Sequence, residues 1–403
     1  MPNYLLFAFD GNNWLSNPEA QMGIAIAAII LALSFDFVNG FHDTANACAT
    51  VIYTKALKPG TAILLAGIFN FAGALLVGTA VAQVITKIIP ADKVTLSIIV
   101  AVLLASLIWN LITWWLCLPV SSSHCLIGSL FGAGLMSAGI EGVAWPELSK
   151  VFAALILSPI CGFLAGCILT WIGIKLSGNN SSGKLAASVI SVRSPELVPA
   201  GVSSTETAQY KQSDTEHKIL STDEILALTH PTQPPLMRWL HILASSLVAF
   251  SHGSNDGQKT MGIITLILAT QFASYGYSLN HVPFWVVFAC AIAIGLGTTI
   301  GGWRIIKTVG EKIGKEPITH AQGFGASLGT ALVILIASRI GAPISTTHTL
   351  SSAVAGGIIP AHGPTKFNIA TLKTIAMAWI LTVPVTAILA AACYAVTKTS
   401  IGQ

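Results

Sequence analysis

Read as a string of apolar and polar positions, the chain alternates long hydrocarbon stretches with short polar interruptions. Apolar segments run over 22–38, 61–86, 94–118, 125–140 and 151–174, and again over 239–250, 260–273, 283–300, 319–338, 343–360 and 370–396. Several reach the roughly 20 apolar residues that carry an α-helix across a bilayer, while others are too short alone. The short ones flank two charged blocks, which predicts broken helices and hairpins whose irregular backbone is buried in protein near the midplane. The whole pattern predicts an all-α polytopic membrane protein with about 10–12 membrane helices.

The interruptions repeat. Asn39-Gly40-Phe41-His42-Asp43-Thr44-Ala45-Asn46-Ala47 matches His252-Gly253-Ser254-Asn255-Asp256-Gly257-Gln258-Lys259-Thr260 at a shift of 213. Pro119-Val120-Ser121-Ser122-Ser123-His124 matches Pro343-Ile344-Ser345-Thr346-Thr347-His348 at a shift of 224. Ionisable side chains surrounded by hydrocarbon are costly and mark function. Finding one set per half predicts a transporter built from two inverted-topology repeats. The expected layout is an extracytoplasmic segment over 1–21, a first repeat over 22–176, a linker over 177–236, a second, inverted repeat over 237–396 and a tail over 397–403. The linker is polar and rich in Ser, Thr and Pro, a composition that predicts a largely disordered cytoplasmic loop.

Composition sharpens the class. Of 403 residues, 53% are hydrophobic and only 9% charged, against roughly 25% charged in soluble domains. This is an integral membrane protein; its net charge of +4 sits mostly in connections and is no footprint for nucleic acid. The seven cysteines show no metal or disulfide spacing. Residues 1–21 contain Asp10 and Glu19 but no Lys or Arg, so they lack the positive start of a signal peptide and the first apolar segment is expected to stay. With five net crossings per half, Lys55, Lys58, Lys175, Arg238, Arg304, Lys307, Lys312, Lys315, Lys366 and Lys373 fall inside with the linker cations, and Lys87, Lys93, Lys150 and Lys398 outside. The positive-inside rule then puts both termini outside the cytoplasm and the central loop within it.

Asp43 and Asp256 lead the candidates. Brought together by the inverted duplication, they can hold cations or pass protons; the plainer reading is an interhelical polar contact. Asn46 lies one helical turn after Asp43, and Asn255 and Gln258 bracket Asp256. The triplets Ser121, Ser122, Ser123 and Ser345, Thr346, Thr347 each follow a proline at what reads as a helix start. Free N–H groups, hydroxyls and the positive end of a helix dipole make such a start an anion site, although each hydroxyl taken singly also fits ordinary capping. His124 and His348 end these motifs, as orienting groups or as ligands and proton carriers. His42 can carry a proton near neutral pH. Lys259 either neutralises an anion or a nearby Asp, or sits at the membrane interface. Arg339 either pairs with a carboxylate or snorkels.

At these residues the chain resembles the inorganic phosphate transporter family, Pit type, which carries a duplicated Gly-x-Asn-Asp-type signature and a Pro-x-Ser/Thr-Ser/Thr-Ser/Thr-His element in each half. The resemblance covers both membrane halves and spares the linker. It implies secondary active uptake of inorganic phosphate across a bacterial inner membrane by a homodimer with no bound cofactor and no structural metal. Carried over, Asp43, Asn46, Asn255 and Asp256 and the two Ser/Thr triplets would form the phosphate and coupling-ion sites. Sodium-coupled members usually have Asn where this chain has His42; its wording looks like the proton-coupled branch that takes phosphate as a neutral complex with Mg2+ or another divalent metal. Since Na+ prefers oxygen ligands, an imidazole there favours H+ over Na+. Three other readings stay open: a sulfate:cation symporter of the same architecture, an anion channel, and an intramembrane serine hydrolase, which would need only one of the two serine motifs.

Overall fold

The computed structural model describes residues 18–177 and 235–401, so the expectations for 1–17, for most of the linker and for 402–403 fall outside the described residues. Within them the chain forms twelve α-helices: α1 (Pro18–Tyr53), α2 (Pro59–Leu76), α3 (Ala80–Ile85), α4 (Leu96–Trp115), α5 (Ser122–Ala138), α6 (Trp145–Leu176), α7 (Pro235–Gln271), α8 (Phe284–Ile300), α9 (Trp303–Glu311), α10 (His320–Arg339), α11 (Thr346–His362) and α12 (Ile369–Ile401). The second six repeat the first six. Lengths pair as 36 with 37, 18 with 17, 6 with 9, 20 with 20, 17 with 17 and 32 with 33 residues.

The local signals pair too. Thr95 caps α4 by accepting from Ile98 N at 3.3 Å, and Thr319 caps α10 by accepting from Gln322 N at 3.1 Å. After α4, Cys117 takes a left-handed φ of 60°; its N–H reaches Trp114 O and that of Leu118 reaches Thr113 O, both at 3.0 Å. After α10, Gly341 (φ 74°) and Ala342 repeat these bonds to Ser338 O and Ala337 O. Both ends are Schellman stops, and each delivers the chain to a proline and the start of the next helix.

Packing crosses between the halves: α1 lies on α8 and α2 on α7, while α5 lies on α12 and α6 on α11. Glycines set the closest approaches. A Cβ on Gly40 or Gly297 would strike the backbone of Ile294 or Phe37 where α1 crosses α8; one on Gly253 or Gly73 would strike that of Asn70 or Phe250 where α7 crosses α2. Shape rather than apolar burial drives such contacts in lipid. The outside is accordingly apolar: Ile156, Ile160, Leu164, Ile168 and Trp171 form an exposed stripe down α6.

Among the described residues seven helices (α1, α2, α4, α5, α6, α10, α12) are long and apolar enough to span a membrane, and α8 with α9, bent by 69°, makes an eighth. This is fewer than the expected 10–12. The difference falls on α7, long but interrupted by its polar block, and on α11, which has 17 residues. The helix breaks also fall elsewhere than expected. Both charged blocks lie inside unbroken helices, α1 and α7. A helix satisfies its own backbone hydrogen bonds whatever side chains it carries, so a polar block needs no break. The chain is interrupted instead before Ser122 and Thr346 and at Gly301–Gly302.

Candidate functional site

Because the blocks are helical, their side chains sort by helical phase. Residues four before and three after an aspartate share its face. Around Asp43 these are Asn39 and Asn46; around Asp256 they are His252 and Lys259. All six are buried. The crossings of α1 with α8 and α7 with α2 then bring the two faces together.

His252 joins the carboxylates: its Nε2 lies 3.4 Å from Asp43 Oδ2 and 3.3 Å from Asp256 Oδ2. Asp43 Oδ1 meets His42 Nδ1 at 2.8 Å. Asp256 Oδ1 pairs with the ammonium of Lys259, which also donates to Ser123 Oγ. Asn39 Nδ2 donates to Asp256 Oδ2 at 3.3 Å.

Both Ser/Thr motifs arrive at this cluster. Ser121 and Ser345 are N-caps, each accepting from the backbone N–H three residues on, His124 or His348, at 3.1 Å. That leaves the next two hydroxyls of each motif facing inward at the helix N-termini. Ser122 Oγ donates to Asp256 Oδ2 at 3.2 Å; Thr346 Oγ1 lies 3.4 Å from Asp43 Oδ2 and 3.5 Å from Asp256 Oδ2. Thr347 Oγ1 donates to Asp43 Oδ2 at 3.2 Å and accepts from Asn46 Nδ2 at the same distance. Two positive helix ends thus meet over two carboxylates with one lysine between.

Three sets of expected site residues lie apart from the carboxylates. Asn255 braces the turn before Ser345, donating to Ser338 Oγ and Ala342 O and accepting from Ile344 N. Gln258 accepts from Val81 N at 2.8 Å and holds the start of α3. Both are off the phase of Asp256. His124 and His348 pack ring against ring at a tilt, with centroids 4.3 Å apart, and His348 stacks on Trp379. Arg339 is exposed at the end of α10.

His252, Asn39 and Asn70 were missed as site residues in the sequence, though helical phase from the aspartates would have found the first two. Asn70 orients His252. Thr298 Oγ1 donates to Ile294 O at 2.8 Å, so it accepts from Asn70 Nδ2 at 2.6 Å, which turns Asn70 Oδ1 to His252 Nδ1 at 2.9 Å. Nδ1 therefore carries the hydrogen, and Nε2 faces two carboxylate oxygens. One atom each from Asp43, His252 and Asp256 lie within 4.8 Å of one another. Such a convergence of lone pairs is stable only with a proton or a small cation among them.

Known proteins resemble this chain over most of its length. Residues 39–390 match the model of the phosphate transporter family. A Bacillus subtilis protein described as a probable low-affinity inorganic phosphate transporter is 41% identical over 92% of this chain and 96% of its own length. A Rhizobium meliloti protein of the same description is 37% identical over the same shares of each chain. A solved structure described as the sodium-dependent phosphate transporter superposes with a TM-score of 0.73 at 27% identity, covering 94% of this chain and 100% of that one.

Proposed function

The chain belongs to the phosphate transporter family, and from that premise we propose that it imports inorganic phosphate by cation symport at the Asp43–His252–Asp256 cluster, with H+ favoured over Na+. Its family is one of transporters and not of enzymes, which removes the hydrolase reading. The observation that carries the proposal is the meeting of two helix N-termini, with Ser122, Ser123, Thr346 and Thr347, over a buried carboxylate pair.

The charges argue for symport. Phosphate adds one or two negative charges to those of Asp43 and Asp256, and Lys259 supplies one positive charge. An anion entering such a site needs accompanying cations, because like charges in a dry interior repel strongly. A proton on phosphate or on the imidazole, a sodium ion, or a divalent metal carried in as a neutral complex with phosphate each meets the need. Phosphate keeps a P–OH at neutral pH and can donate to a carboxylate; sulfate cannot, and the carboxylates repel it. His42 against Asp43 favours H+ over Na+, because an imidazole nitrogen suits a proton better than a hard alkali cation.

Asp43, Asn46, Ser122, Ser123, Lys259, Thr346 and Thr347 contact phosphate in this reading, and His42, Asp43, His252 and Asp256 the coupling cation. Ser121, Ser345, Asn255 and Gln258 shape the site. The cluster is closed here, so each cycle opens it to one side at a time. A homodimer in the bacterial inner membrane, with both termini outside and 177–236 in the cytoplasm, completes the proposal and rests on the Lys and Arg distribution and the family resemblance.

The test is uptake of radiolabelled phosphate into proteoliposomes under an imposed proton or sodium gradient, with and without Mg2+, and with excess sulfate. Accumulation driven by protons alone and indifferent to sulfate is expected. A sodium requirement would overturn the H+ preference, and inhibition by sulfate at matched concentration would overturn the phosphate selectivity.

A further inference from the structure

Asp36 is the one carboxylate of α1's buried half that the phosphate chemistry above leaves unused. It is 0% exposed, and neither of its oxygens has a hydrogen-bond partner among the described residues. Asp43 and Asp256, by contrast, each engage hydroxyls and an imidazole. The one hydroxyl directed at Asp36, that of Thr260, falls short of a full hydrogen bond and has no other partner among the described residues. The buried side chains where α1, α7 and α8 meet are largely apolar, Ala32, Phe35, Met261, Ile264 and Cys290 among them. An ionised carboxylate with only one weak hydroxyl donor in such a place is very costly, whereas a carboxyl that carries its proton is tolerated.

Position ties Asp36 to the site. Seven residues before Asp43, it lies on the same face of α1, about 10 Å along the axis. Its ionisable neighbours are His252, Asp256 and Lys259 on α7 and the Cys290 thiol on α8. The helices α2 and α4 bring no ionisable group. Arg304, Lys307 and Glu311 belong to α9, which follows α1 from Phe41–His42 at its start to Tyr53 near its end, on the C-terminal side of Asp36. At the shift that pairs Asp43 with Asp256, Asp36 falls on Ala249. The duplicated phosphate chemistry therefore does not call for it, while a proton path needs only one such group.

We propose that Asp36 is a proton-binding site of this transporter, filled in the closed arrangement seen here and emptied when the neighbouring block of α7 opens to water. On one side hydronium gives its proton to the carboxylate, so that its O–H bond breaks as that of Asp36 forms and water is left; on the other side the Asp36 O–H bond breaks as water takes the proton and becomes hydronium. This rests on the proton-coupled reading above. The charges of His252, Asp256 and Lys259 decide when the proton leaves, since they are what phosphate and its cation reorganise.

Full-length wild type and D36N, reconstituted in proteoliposomes, separate the possibilities by two measurements: exchange of radiolabelled for unlabelled phosphate, and phosphate-driven proton uptake read by an internal pH dye. Asparagine is nearly isosteric with the protonated acid, so D36N is expected to keep phosphate exchange and to lose phosphate-driven proton uptake. Wild type that moves protons while D36N moves as many per phosphate would overturn the assignment of Asp36 alone. Wild type that moves no protons would overturn the coupling reading itself. Should D36N fail to exchange phosphate, infrared spectra of D36E decide. A carboxylic-acid carbonyl band in wild type that shifts in D36E supports the assignment, and a band unmoved by the exchange refutes it.

Discussion

Truncating Asn70 to alanine tests whether His252 is oriented as the hydrogen bonds indicate. Asn70→Ala removes the acceptor at 2.9 Å from His252 Nδ1 and the donor at 2.6 Å from Thr298 Oγ1. Helix packing should survive, because Gly253 rests chiefly on the backbone of Asn70 rather than on its side chain. The imidazole would then be free to carry its hydrogen on Nε2, facing the carboxylates without a cation. Leaving a buried donor unpaired costs about 1–3 kcal/mol, and each 1.4 kcal/mol is about tenfold in an equilibrium. Phosphate affinity measured by isothermal titration on purified protein should therefore fall by about 5- to 150-fold. In nitrogen-resolved NMR of labelled histidine the tautomer of His252 should change, with melting temperature little altered. N70A with wild-type affinity and an unchanged tautomer, in the same assay where H252A binds no phosphate, would refute the orienting role.

Other substitutions probe the symmetry and the charges. S122A and T346V should each lower phosphate uptake, since both hydroxyls reach Asp256; dependence on one alone would break the two-sided site. D256A leaves Lys259 buried without its carboxylate and should destabilise by about 3–5 kcal/mol in a detergent melt, with D256A/K259M recovering most of that loss; equal melting of both variants would refute the pairing. C117G removes a left-handed φ from a residue with a Cβ and should stabilise by about 1 kcal/mol, while G341A at the matching stop should destabilise, both read by thermal unfolding.

Much of this architecture was legible in the sequence because a bilayer leaves few choices. Backbone groups in hydrocarbon must be satisfied internally, so apolar runs of the right length become helices. A hydroxyl residue just before a helical run is a favoured N-cap, and Ser121 and Ser345, each two residues after a proline, are such caps. The placing of helix breaks at the charged blocks was the expectation that did not hold. It treated polar side chains as if they interrupted the backbone, and with the helix broken there was no phase by which to separate His252 and Lys259, which face Asp256, from Asn255 and Gln258, which do not.

By itself the sequence determined the membrane class, the duplication, the two aspartates and the two serine–threonine helix starts, since all of these follow from local composition and from comparing the chain with itself. The tertiary structure alone decided that Asp43 and Asp256, 213 residues apart, share one imidazole, that Asn70 sets its tautomer, and that Asp36 is sealed with no full hydrogen bond among the described residues. Those facts depend on how closely α1 approaches α8 and α7 approaches α2. That distance is set by where glycines on one helix meet bare backbone on another, a matching of surfaces that no single segment contains.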